Sequence, residues 1–379
     1  MKQILFIYAS SRNYSGGQKA TELIINGLKK RNWDCIELKL PVFYRSLNYY
    51  AAISHYASEF LLFIVGFIKS FLITRPIIYV NIGQSKFALL RDGIPFLLLS
   101  LLHHSRKSII SLHGSWFMNW KKGSLVVKWF NLLCLMARYI TVLGPNQKIQ
   151  LQALGIPIDK VIIIDNTCDM EGISGDQFES KIRRNGKVSL LFLSNLVDTK
   201  GFSEFLEALY LYSQKHNNPE IRATLCGNIL ITGYSDRFRD VLSARAYIEK
   251  IISMIRERGL VDIQWIPGTD GKVKEYLFRD SDIFVFPSRI EAQPICLLEA
   301  LANGCAIVTT RVGEIPYTVE DNAAILISAP TPEVVLSAIE KLIQNPSLRK
   351  SLATNGYNLF RRRYTFDEHI NKWETLLNN

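Results

Sequence analysis

Short runs rich in apolar residues at 3–8, 33–38, 77–82, 108–112, 139–143 and 160–164 alternate with segments of helical spacing. In 18–30, for example, Leu23, Ile24 and Leu28 fall on one face of a helix, and 46–74 reads as a long helical region. A second series of strand-like runs follows at 188–193, 221–226, 263–266, 283–286, 306–309 and 324–327. Strands that alternate with helices over this length predict an α/β fold with parallel, doubly wound sheets. Between the two series lies a polar stretch rich in Gly and charge, 169–187, which reads as a linker. The prediction is two Rossmann-like domains, 1–175 and 185–357, then an amphipathic, charged segment at 358–379 carrying Arg361, Arg362, Arg363 and Trp373. A length of 379 residues suits two domains, and 48% hydrophobic residues suffice for two cores.

The charge is unevenly divided. The net charge is +11, yet residues 1–160 hold 20 Lys and Arg against 6 Asp and Glu, while the remainder holds 25 against 28. The basic excess therefore belongs wholly to the first half. Such a half suits nucleic acid, an anionic membrane surface or a phosphorylated substrate. No nucleic acid is expected, because base stacking calls for aromatic residues on a basic strand face, and the aromatic residues here are scattered through apolar runs.

The longest apolar run, 60–68 and its continuation to 74, is shorter than the ~20 residues of a spanning helix. It reads as a buried helix or as one lying in the membrane interface. The run 94–102, next to His103, His104, Arg106 and Lys107, has the same character. Arg45, Lys69, Arg75, Lys121 and Lys122 add charge that would hold anionic lipid. Peripheral contact with an anionic membrane surface is the expectation. The opening run, 1–8, reads as a first strand and not as a signal peptide, since no small-residue cleavage site follows it. The six cysteines form no Cys-x-x-Cys pair and read as reduced, buried thiols of a cytoplasmic protein.

In the second series, Glu291 and Glu299 are separated by seven residues. An apolar strand precedes them and ends in a turn at Pro287 and Ser288. Pro294 stands where it opens a helix at its first turn. Residues 295–302 are good helix formers, and Gly304 stops them. This strand–loop–helix–strand unit places its loop and helix start at the carboxyl end of a parallel strand, where ligands bind. The amides of Ile295 and Cys296 would face an anion there. In the first half, Ser15-Gly16-Gly17-Gln18 follows the first strand, and its glycines let backbone approach a ligand. It is not a G-x-G-x-x-G turn, and Glu37 is the nearest acidic residue to close a second strand, which weakens a dehydrogenase reading.

The stretch 288–304 resembles the E-x7-E signature of retaining glycosyltransferases of the GT-B fold, family 4, in the variant that reads Glu-x-Gln-Pro. The resemblance covers nearly the whole chain and is densest in 188–322. It implies two domains facing a central cleft, the first for the acceptor and the second for a nucleotide-sugar, with the last helix crossing back to the first domain. It implies that Glu291 lies against the transferred sugar and that Glu299 accepts hydrogen bonds from ribose hydroxyls. Gly16 and Gly17 resemble the Gly-Gly loop on the first domain's side. His113-Gly114 resembles the family's histidine, which donates a hydrogen bond to the sugar or the phosphate side.

Lys200-Gly201 matches the family's Lys-Gly, but Ser194-Asn195 stands where Gly-Arg is usual. In the family the two cations balance the departing diphosphate. Here Lys200 supplies one, and Asn195 offers only neutral hydrogen bonds. Either Arg289 compensates, or helix-terminus amides hold the diphosphate. Asn166-Thr167-Cys168-Asp169 resembles a mainly structural turn, and Gly227 the turn under the nucleotide. Arg311-Val312-Gly313-Glu314-Ile315-Pro316 resembles the family's Gly-Gly-Ile-Pro-Glu loop, with Glu314 for the second glycine and Tyr317 for the glutamate. Asp280-Ser281-Asp282 has the Asp-x-Asp form that binds metal in another glycosyltransferase fold, but Asp282 starts a buried strand away from the site. There is no zinc-type His/Cys spacing and no Gly-x-Ser-x-Gly elbow.

The resemblance thus implies transfer, with retention, from a UDP- or GDP-sugar to a glycan or lipid-linked acceptor in bacterial cell-surface polysaccharide biosynthesis. It implies neither metal nor cofactor, and a place in the cytoplasm or on the cytoplasmic face of the inner membrane. On this reading the leaving phosphate takes the acceptor's proton on one face, and the protein positions groups and stabilises charge. A sugar-nucleotide 2-epimerase of the same fold, or a non-catalytic sugar-nucleotide-binding protein, are the alternatives.

Overall fold

The computed structural model describes all residues except 1, 11–15, 43–63, 72, 74, 104–106, 185, 217–220, 233–234, 236 and 269–270. The chain forms two compact units, Met1–Thr167 with Phe366–Asn379, and Cys168–Thr365. In order, the first unit contains β1 (Gln3–Ser10), α1 (Gly16–Lys30), β2 (Asp34–Pro41), a helix α2 over 64–71, β3 (Ile77–Asn81), α3 (Lys86–Leu102), β4 (Ser108–Ser111), α4 (Leu125–Met136), β5 (Tyr139–Val142), α5 (Pro145–Ala153) and β6 (Val161–Ile163). The second contains α6 (Gly175–Arg183), β7 (Val188–Leu193), α7 (Phe202–Lys215), β8 (Ile221–Cys226), α8 (Val241–Glu257), β9 (Val261–Ile266), α9 (Gly271–Asp280) and β10 (Ile283–Phe286). It continues with α10 (Ile295–Ala302), β11 (Ala306–Thr310), α11 (Ile315–Val319), β12 (Ala324–Ile327), α12 (Pro332–Gln344) and α13 (Pro346–Arg363). The last helix, α14 (Phe366–Asn378), returns to the first unit.

Each unit is built on one six-stranded parallel sheet, in the orders β2-β1-β3-β4-β5-β6 and β12-β11-β10-β7-β8-β9. Side chains alternate across the first sheet as strand geometry requires. Ile4, Phe6 and Tyr8 point into a core with α1 and α14, whereas Leu5 and Ile7 point into the opposite core with α3 and α4. The helix α14 joins the first unit through a buried stripe, Ile370, Trp373 and Leu377, and Trp373 meets Tyr79 edge-on at 5.6 Å. In each sheet the chain reverses its direction of winding at one place. That place lies between β1 and β3 in the first sheet, and between β7 and β10 in the second. In open parallel sheets ligands bind as a rule at the carboxyl ends of the strands flanking such a point.

Three expectations are corrected. The stretch 169–187 is not a free linker: 175–183 folds as α6, opened by a Ser174/Gln177 capping box. Its buried aromatic anchor, Phe178, stacks on Tyr357 at 4.4 Å within the second unit. The units therefore divide at 167/168, ahead of the expected 175–185. At the other end α13 runs through 358 to Arg363, and the break comes at Tyr364, whose hydroxyl donates to the Thr318 carbonyl at 3.0 Å. The returning segment thus starts at 366 and not at 358. Of the helical region 46–74, only 64–71 is described as helix, and 46–63, 72 and 74 lie outside the described residues, as do Ser15, Arg45, His104 and Arg106. All six cysteines are free thiols. Among the described residues, no helix is long and apolar enough to cross a membrane.

Candidate active site

The loop from β10 to α10 carries Glu291 at the reversal point of the second sheet. The helix spans 295–302 as predicted, but Pro294 sits at the N-cap in extended backbone, one residue ahead of the first turn. Its fixed φ sets the entry angle, and the amides of Ile295 and Cys296 lead the helix, ahead of its i→i−4 ladder. The loop is pinned from two sides. Gln293 donates to Thr318 Oγ1 at 3.2 Å, and a Cβ on Gly313 would lie 2.0 Å from the Glu291 carbonyl oxygen. Glycine at 313, with φ +56, is the residue that lets the 311–316 loop pass under Glu291.

From β7 the neighbouring loop brings Lys200. It ends in a 3-10 turn, Asp198–Lys200, and Gly201 then adopts φ +82. A Cβ there would stand 2.3 Å from the Pro287 carbonyl oxygen, so the Lys-Gly pair is what lets the two loops touch. Lys200 Nζ donates to Glu291 Oε1, and Ser288 Oγ lies 3.1 Å from the same oxygen. The Ser288 hydroxyl is fully buried and also approaches the Thr199 carbonyl at 3.1 Å. Asn195 is exposed just beyond β7. Gly227, after β8, packs so closely that a Cβ would fall 1.8 Å from the Ser194 carbonyl oxygen, so it shapes the Asn195 loop through backbone.

Glu299 lies one turn into α10, 3% exposed against 8% for Glu291. Its carboxylate accepts from Lys274 Nζ at 2.7 Å, and the same ammonium stands 3.5 Å from Asp169. Burial, with Glu291 and Glu299 beside it, pushes the Cys296 thiol far up, so it stays protonated and serves as a small apolar residue at the helix start. Arg289, the candidate to compensate for Asn195, already has protein partners. Its guanidinium is taken by Glu204 and by the Asp198 carbonyl at 2.8 Å, with the Asp198 carboxylate 3.4 Å away. Asp280 and Asp282 are held at the amino ends of the strands: Arg184 reaches both at 2.9 Å, and Arg222 reaches Asp280 at 3.0 Å. Among the described residues no three His, Cys, Asp or Glu stand together as a metal would need.

The first unit gathers its own polar groups at the carboxyl edge of its sheet. Asn81, at the end of β3, donates to the Gly17 carbonyl and to Thr21 Oγ1, both at 2.9 Å. A Cβ on Gly17 would lie 3.3 Å from Asn81 and 3.4 Å from His113, whereas Gly16 has open space. His113 Nδ1 donates to Asn166 Oδ1 at 3.1 Å. That tautomer leaves Nε2 to accept from Ser111 at 3.0 Å or Tyr79 at 3.1 Å. Both ring nitrogens thus have protein partners, and a bond to a sugar would require one to be exchanged.

Burial lowers the His113 pKa to about 4, and that of His369, which donates to the Asp165 carbonyl at 2.7 Å, to about 3. Both are neutral in the fold and charge on unfolding, so stability falls as pH drops below their ordinary value near 6.5 and goes on falling towards pH 4. Urea unfolding followed by tryptophan fluorescence should show a loss of about 2 kcal/mol per histidine between pH 7 and pH 5. A flat profile over that window would mean the imidazoles are solvated.

Residues 174–359, nearly the whole second unit, match the family described as Glycosyl transferases group 1. The second unit is a glycosyl transferases group 1 domain. Among curated relatives, the D-inositol 3-phosphate glycosyltransferase of Corynebacterium kroppenstedtii is 25% identical over 44% of this chain and 35% of its own. The capsular polysaccharide biosynthesis glycosyltransferase CapH of Staphylococcus aureus is 27% identical over 50% of this chain and 49% of its own. This chain thus spans between a third and a half of the length of these relatives. Among solved structures, Anabaena Alr3699/HepE in complex with UDP superposes with a TM-score of 0.70 at 14% identity, covering 100% of both chains. That likeness shows the fold, which is GT-B, as expected from the resemblance.

The group 1 domain brings Lys200, Glu291, Ser288, Pro294 and Cys296 to one loop cluster, and beside it Arg289 pairs with Glu204 and Asp198. Two of its charged residues escaped the sequence reading. Lys274 sits in an ordinary-looking charged helix, Gly271–Asp280, and only the packing of α9 against the second core buries it. Asp169, taken as part of a structural turn, faces that lysine. The signal for Lys274 was its period: Lys274, Leu277 and Phe278 form the buried stripe of α9.

Proposed function

We propose that this chain is a retaining glycosyltransferase of the cytoplasm that moves a sugar from a UDP- or GDP-sugar to a glycan or lipid-linked acceptor in cell-surface polysaccharide synthesis. The observation that carries this reading is the Lys200–Glu291 pair at the reversal point of the group 1 sheet, with the buried Glu299 eight positions on. The capsular role in the CapH name and the UDP held by Alr3699/HepE support the substrate class.

In the reaction, Lys200 and the leading amides of α10 stabilise the departing diphosphate, an anion at a helix start. Glu291 orients the sugar, and Glu299 takes the ribose hydroxyls. Glu291 is engaged by Lys200 and Ser288, which suits a positioning carboxylate and not a free nucleophile. Transfer then proceeds on one face, the leaving phosphate accepting the acceptor's proton. Metal is not required, because the one Asp-x-Asp pair is spent on Arg184 and Arg222 and the cationic role falls to Lys200. With Arg289 committed, the α10 amides take the share that a second cation would carry.

A thermal-shift panel of nucleotide-sugars tests this. The right donor at a hundredfold excess over its Kd should add about 2.7 kcal/mol, a rise of a few degrees in melting temperature, and the rise should survive EDTA. Incubation with that donor should lengthen an acceptor. A free, epimerised donor as product would favour the epimerase, and a panel in which nothing shifts the melting point would end the donor-site reading.

A further inference from the structure

The first unit carries an apolar outer surface that its own fold leaves exposed. Of the 23 large apolar side chains exposed among the described residues, 17 lie between 64 and 158. They form stripes. On α3, Leu89, Phe96 and Leu99 point into the core, while Phe87, Leu90, Ile94, Leu98 and Leu101 recur at spacings of three or four on the outside. From Phe87 to Leu101 that stripe is about 21 Å long. On α4, Leu125, Leu132 and Leu135 make a second stripe, with exposed Lys128 in line. The two helices touch directly: Trp129 Nε1 donates to the Leu89 carbonyl at 3.3 Å. On α2, Val65, Ile68 and Phe71 face out, while Gly66 rests on Leu38 of β2. Leu38, Leu89 and Phe130 share one core, so all three helices cover the same face of the sheet. By contrast, α12 and α13 of the second unit expose no large apolar side chain.

The charge around this plate has one sign. Between residues 60 and 158 the sequence holds 11 Lys and Arg and a single carboxylate, Asp92. Asp92 is fully buried and taken by Arg91 at 2.6 Å and the Gly83 amide at 2.7 Å. Lys69, Lys86 and Lys128 stand exposed on the three helices, and among the described residues no carboxylate pairs with them. A face meant for water carries charges of both signs, and a protein partner of ordinary composition would bring cations as well as anions to it. Apolar stripes on one face of the sheet, with cations only, match one environment, where acyl chains take the leucines and anionic headgroups take the lysines.

We propose that α2, α3 and α4 dock the first unit on an anionic lipid bilayer, lying in the boundary between headgroups and acyl chains without crossing it. The helix α3 then does two things at once, its inner face closing the core and its outer face entering the lipid.

Sedimentation of the full chain with vesicles tests this, without any sugar nucleotide, so its failure leaves the transferase reading untouched. The chain should bind vesicles containing phosphatidylglycerol, bind phosphatidylcholine vesicles far less, and release as salt rises. Leu98→Asp with Leu135→Asp should weaken binding about tenfold or more, and Lys86→Glu with Lys128→Glu several-fold. All four side chains are exposed, so melting temperature and circular dichroism should stay unchanged. Wild-type binding by the Leu98→Asp/Leu135→Asp variant, or no binding by the wild type, overturns the proposal. So does a self-associating chain that the aspartates render monomeric while vesicle binding is unaffected.

Discussion

Replacing Lys274 by methionine is expected to destabilise the second unit by about 3–5 kcal/mol, the cost of removing one partner from a buried ion pair. Glu299 is 3% exposed and receives the Lys274 ammonium at 2.7 Å, so the change leaves a carboxylate out of water without that cation. Methionine keeps most of the stem's volume, which separates loss of charge from loss of packing. The paired change Lys274→Met with Glu299→Gln should recover most of the loss, because no unpaired charge then remains. Urea unfolding of the three variants reads this directly. A Lys274→Met midpoint equal to wild type would show that Glu299 is solvated and that α9 does not cover it. On the transferase reading, the lysine also holds Glu299 in place for the ribose, so donor affinity should fall in the paired variant even where stability returns.

On the transferase reading, Glu291→Gln should lower kcat by roughly 10²–10³, the scale seen when one preorganised charged or polar contact to the reacting centre is removed. The amide has the same shape and can still meet Ser288, but it cannot balance Lys200. Lys200→Met should cost a similar factor by removing the cation from the departing diphosphate. Combining the two should cost little more than either alone, since the pair acts as a unit. Turnover measured with the donor from the thermal-shift panel decides it. A Glu291→Gln enzyme with wild-type kcat would place the chemistry elsewhere.

The parts legible in the sequence were those with a short physical period. Twelve strands stood out because buried parallel strands are continuous apolar runs, and α10 kept its predicted limits because Pro294 and Gly304 bracket eight good helix formers. The misread stretch has a polar surface that hides its anchor. The stretch 169–187 looked like a linker because Phe178 is the one large aromatic residue of α6, yet that ring stacked on Tyr357 settles its place. The contact of Arg289 with Glu204 was not legible, because Glu204 lies in another element and only the approach of α7 to the β10 loop brings the two together.

What the chain of residues determined by itself was local: where the twelve strands run, that the sheets are parallel, and that Glu291 and Glu299 flank a helix start. These follow from backbone sterics and from burial of side chains within a few residues of one another. What only the tertiary structure decided was which charges meet. Lys200 reaches Glu291, 91 positions on, because β7 and β10 are neighbours at the reversal point, and Lys274 reaches Glu299, 25 positions on, because α9 packs against the sheet within a side chain's reach of α10. A charge acts over a few ångströms of space whatever its separation along the chain, so pairing is set by packing, and packing is a property of the whole core.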